Sequence, residues 1–150
     1  MLPSLRPLVL VLALSMSAAH AAEPVELKFD ELVHQPVGPR GIEFSDKVLA
    51  ARGQLVRIAG YMVRQEVAEA GRFLLAPQPV ALSEHADGPA NDLPITTFTV
   101  LLAPSQAQRI VAPVAGRIEL VGRLQMGRSE AVDGSVSWLR LQLAPDALLP

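Results

Sequence analysis

From residue 54 onward, apolar and polar positions alternate with a period of two, the spacing of strands with one buried face. In Leu55–Val63 the positions Val56, Ile58 and Met62 share a face with Gly60 between them, while Leu55, Arg57, Ala59, Tyr61 and Val63 take the other. Arg72–Ala76 predicts a second strand that stops at Pro77, and Thr96–Leu102, rich in β-branched residues, predicts a third. The cleanest alternation is Arg117–Met126: Ile118, Leu120, Leu124 and Met126 point one way, Arg117, Glu119, Arg123 and Gln125 the other. Asp133-Gly134 is a turn signal, and the fifth strand, Val136–Leu143, follows it with Leu139, Leu141 and Leu143 on one face. Gly60 and Gly122 fall among the inward positions of their strands, where glycine predicts a bulge or a sharp bend in a coiling sheet.

Helical spacing is brief. Ser45 is placed as an N-cap before Asp46–Arg52, with Asp46 in the positive first turn and Gly53 as the exit. Pro104–Ile110 is a second short helical stretch before Pro113. The predicted fold is all-β: a small five-stranded OB-like Greek-key barrel with one or two short helices. An open sandwich of five or six strands is the rival architecture. Residues 22–43, punctuated by Pro and Gly, are expected to form a loosely packed N-terminal arm with Leu27, Phe29 and Leu32 as docking points.

Composition adds a compartment. Arg6, the apolar run Leu8–Met16 and the small-x-small exit Ala19-His20-Ala21 have the layout of a secretory signal peptide. That run is about half the ~20 residues of a membrane span, so a stable anchor after cleavage is not expected. The layout is then 1–21 signal peptide, 22–43 arm and 44–150 barrel domain, in an exported, periplasmic protein. Of the 150 residues none is Cys, 13 are Lys or Arg and 15 are Asp or Glu, a formal net charge of −2. The acidic balance argues against a nucleic-acid partner. The absence of Cys removes disulfides, thiol nucleophiles and thiolate metal sites.

The string Val56-Arg57-Ile58-Ala59-Gly60-Tyr61-Met62-Val63, with Glu66 and then Phe73-Leu74-Leu75-Ala76-Pro77, resembles an uncharacterised exported bacterial family. Its signature is V-x-I-x-G-[FY]-M-V-P-x-E followed by F-L-L-x-P. The resemblance covers residues 44–125 and implies an OB-like, non-enzymatic domain that accompanies ABC-type export or metal-uptake systems. Two departures stand out. Arg64 replaces the family's Pro, and Gln78–His85 lacks the usual Cys, so no thiol-dependent role carries over.

Trp138 shares the outward face of the last strand with Val136, Arg140 and Gln142, which makes it an anchor for a protein partner or a ring-bearing ligand. Its alternative place is beneath the arm or a neighbouring loop. Arg123 on the fourth strand is expected to extend a basic strip beside Arg140. In the long 78–93 loop, Glu84, His85, Asp87 and Asp92 offer one nitrogen and several oxygens to a divalent cation, although their spacing matches no known metal loop. No serine has a nucleophile-elbow context, only His34 and His85 lie beyond the leader, and no paired carboxylates fall in register. Catalysis and cofactors are therefore not expected. The expected function is an exported adaptor with an envelope protein partner, as monomer or homodimer. Small-molecule or divalent-metal binding is the alternative.

Overall fold

The computed structural model describes residues 22–82, 84–85, 88–89 and 93–148, with 84–85 and 88–89 as backbone only. The expected signal peptide lies outside the described residues. The main sheet contains β1 (Val25–Leu27), β2 (Leu55–Met62), β3 (Arg72–Ala76), β4 (Phe98–Leu101), β5 (Arg117–Glu130) and β6 (Val136–Leu143). The barrel strands hydrogen-bond in the order β2-β3-β4-β6-β5, and β5 pairs back onto β2 to close the ring. Every pairing in the ring is antiparallel except β4 with β6. That order, with a single crossover, is a five-stranded Greek-key barrel of OB type, and it sets the sandwich aside.

The inward phase of each strand fills the barrel. Ile58, Leu75, Phe98, Leu124, Leu139 and Leu141 are each at most 1% exposed, and burial of such a side chain stabilises by about 1.5–3 kcal/mol. Two strand limits differ from the alternation. β4 begins at Phe98 because the Thr97 amide turns back to the Pro94 carbonyl at 2.9 Å. β5 continues past Met126 because its hairpin with β6 carries the ladder on to Val136 opposite Glu130.

Gly60 and Gly122 turn out to be points of close approach rather than bulges. A Cβ on Gly60 would stand 2.7 Å from the Ala76 carbonyl oxygen, and one on Gly122 would stand 2.7 Å from that of Gln142. The sheet coils tightly there because no side chain intervenes.

Residues 22–43 are packed more closely than their Pro and Gly content predicts. β1 runs parallel to β2, from Val25 opposite Val56 to Leu27 opposite Ile58. It covers the part of the β2 edge that β3, paired at Tyr61 and Met62, leaves open. Leu27 and Leu32 are buried in the core, and the Phe29 ring meets Phe98 edge-on at 5.8 Å. Ser45 ties this segment to α1 (Asp46–Ala50): its oxygen accepts from the Val48 amide at 3.4 Å and its hydroxyl donates to the Glu31 carbonyl at 2.6 Å. The stretch from Pro104 forms one 3-10 turn, Pro104–Gln106, instead of a longer helix.

Candidate functional site

The outward phase of the same strands builds the site. Leu74 on β3 pairs with Thr99 on β4, Thr99 with Arg140 on β6, and Arg140 with Gln125 on β5. These four residues form one row across the outer face of the sheet. Trp138 lies on the same face of β6, two residues before Arg140. The 63–71 loop and the 131–135 turn flank this face and leave an open groove of about 1270 Å³ lined by Arg72, Leu74, Thr99, Leu101, Trp138 and Arg140 among others. This exceeds the ~300–1,000 Å³ of pockets that enclose a small molecule.

A β-bulge sets the wall beside Trp138. The β5–β6 register jumps from Ser137 opposite Ser129 to Leu139 opposite Met126, so Gly127 and Arg128 together face Trp138. Gly127 holds φ at +117°, a conformation that side-chain-bearing residues rarely adopt. Bulges bend the strand and re-aim neighbouring side chains, and Trp138 stands 40% exposed at this one. Arg140 donates from Nη1 to the Gly127 carbonyl at 2.8 Å and more weakly to the Ser137 carbonyl and hydroxyl. No carboxylate lies within ion-pair distance of Arg140 among the described residues. The Thr97 hydroxyl oxygen, also on the groove wall, is buried without a hydrogen-bond partner among the described residues.

The second arginine of the groove is neutralised. Arg72 pairs with Glu69 in the 63–71 loop and reaches Asp133 in the turn at 3.0 Å. It thereby links the two flanking loops. Hydrogen bonds from the Ser135 hydroxyl at 2.6 Å and amide at 2.9 Å, and then the charge of Arg72, hold the Asp133 carboxyl below its ordinary range.

Among the residues singled out in the sequence, the structure brings Trp138 and Arg140 together but directs Arg123 elsewhere. Arg123 lies diagonal to Arg140 across the β5–β6 ladder. Its Nη1 donates to the Gly53 carbonyl at 2.5 Å, and it does not line the groove. The basic strip expected from the pair is therefore a single cation. Asp87 and Asp92 lie outside the described residues, and Glu84 and His85 are described only as a backbone pairing with 88–89. Among the described residues, no group of three or more His, Asp or Glu side chains gathers in a way that would hold a metal ion. Arg72, Leu74, Thr99 and Leu101 were not singled out. Their outward phase was readable from the alternation, but the strands that stand beside β6 were not.

No family model and no curated protein matches the chain. Among solved structures it is similar to a DUF3299 family protein from Pseudomonas aeruginosa PAO1. The two are 14% identical over 81% of this chain and 93% of that one, with a TM-score of 0.46.

Proposed function

We propose that this chain is an exported, periplasmic, non-catalytic binding protein that docks a segment of an envelope partner in the β3–β4–β6 groove, as an accessory to a transport or assembly system. The observation that carries the reading is the exposed Trp138, set beside Arg140 on the floor of an open groove. Aromatic and arginine side chains supply most anchors at protein interfaces. Three of the groove's other charged groups support binding over turnover: Arg72, Glu69 and Asp133 are committed to one another, while Glu66 stands on the 63–71 loop at the groove wall. The proposal also takes the chain as a Cys-lacking member of the exported family whose signature it resembles. The two halves of that signature lie on β2 and β3, which pair where they meet, at Tyr61 opposite Ala76.

The test is affinity capture from envelope extracts, by wild-type protein and by Trp138→Ala. A partner recovered by the wild type and lost with the variant is expected. Equal recovery of that partner by both proteins argues against this face. Periplasmic fractionation of the full chain, compared with one lacking residues 1–21, checks the location; unchanged fractionation removes the export reading.

A further inference from the structure

We infer that the groove selects an acidic segment: a partner's Asp or Glu carboxylate bound by Arg140, with an aromatic or aliphatic neighbour laid on Trp138. This rests on the docking role proposed above and names the chemistry of the occupant. Of the five N–H donors a guanidinium carries, the bonds made by Arg140 use those on Nη1. Nε and Nη2 have no partner among the described residues. The tether to the Gly127 carbonyl and the Ser137 oxygens holds the charge in place without neutralising it, because all three acceptors are uncharged. Arg72 in the same groove is different, since two carboxylates already take its charge.

Half-buried, and with neither a carboxylate partner nor acceptors for Nε and Nη2 among the described residues, Arg140 is complementary to a carboxylate, which it can bind bidentately. The chain's net charge of −2 provides no general attraction for acidic ligands, so selection must come from contact at Arg140. Trp138 and Arg140 stand two residues apart on one face of β6, about 6.7 Å at a strand's rise. That places the apolar neighbour within two positions of the acidic residue in an extended ligand. Val67, 61% exposed on the 63–71 loop, also lines the groove and adds apolar contact there.

The probe is a random 12-residue phage-displayed library panned on the purified protein. The best selected peptide is then synthesised and its affinity measured by fluorescence anisotropy. Selected peptides are expected to carry Asp or Glu within two positions of an aromatic or aliphatic residue. Replacing that acidic residue by its amide should weaken binding by about tenfold or more. The same replacement should have little effect on Arg140→Gln. Because the amide swap is made in the peptide, it reads the interaction even if Arg140→Gln folds poorly. Peptides that lose binding to Trp138→Ala but tolerate the amide swap within about twofold overturn the acidic selectivity and leave the docking role standing. Absence of any enrichment, or enrichment indifferent to both Trp138→Ala and the swap, overturns both.

Discussion

Arg140 donates from Nη1 to the carbonyl of Gly127 at 2.8 Å, and Gly127 is half of the two-residue bulge that faces Trp138. One irregularity in the β5–β6 ladder thus orients both residues proposed to contact a partner. The extra residue in β5 turns a carbonyl toward the outer face, the guanidinium is fastened to it, and Trp138 is left standing beside the charge.

Gly127→Ala should therefore disturb the groove and the fold together. No atom lies within 4 Å of the added Cβ, so the cost comes from the backbone alone, about 1–3 kcal/mol for a side chain forced into a sparsely populated conformation. Urea unfolding followed by the emission of Trp138 measures both effects. A midpoint and a native emission maximum identical to wild type would show that the bulge does not depend on glycine.

Gly122→Ala tests a different constraint. Its Cβ would meet the Gln142 carbonyl at 2.7 Å and the Leu141 side chain at 2.8 Å, and overpacking of this kind costs about 1–3 kcal/mol. Gly38→Ala, with nothing within 4 Å and no left-handed φ, should fall within about 0.5 kcal/mol of wild type. If the two variants melt alike, the close approach of β5 to β6 is not what Gly122 serves.

Leu32→Ala probes the N-terminal segment. Leu32 is fully buried in the core cluster, and truncating such a side chain costs about 2–5 kcal/mol. A loss below about 0.5 kcal/mol in chemical denaturation would mean that residues 22–43 are a dispensable arm after all.

Acid should act late. The Lys47 hydrogen bond, at 2.6 Å, and its charge lower the Glu31 carboxyl, as Ser135 and Arg72 lower Asp133. A carboxylate whose folded pKa is depressed contributes stability above its unfolded value and loses it as pH falls through the folded one. With ordinary values of 4.5 for Glu31 and 3.8 for Asp133, the window opens below about pH 4.5. Thermal midpoints should stay flat from pH 7 to 5 and then decline, less steeply in the Glu31→Gln/Asp133→Asn double variant. Both pairs are solvent-exposed, so the effect is small and shrinks with salt. The same decline in the double variant would assign it to other groups.

The alternation along the chain was sufficient to locate the barrel strands, to put Leu139, Leu141 and Leu143 inside and Trp138 outside, and to make Ser45 a helix cap. Those outcomes follow from a two-residue period and from local hydrogen bonding, which each segment carries within itself. Three features needed the tertiary structure. That β4 lies parallel to β6, so that Thr99 meets Arg140, depends on closure of the ring, and no single strand specifies its neighbour. The bulge at Gly127 depends on the β5–β6 register, because a two-residue turn signal does not reveal an extra residue several positions away. The separation of Arg123 from the groove depends on the Gly53 carbonyl, which lies outside the strand and accepts from its guanidinium.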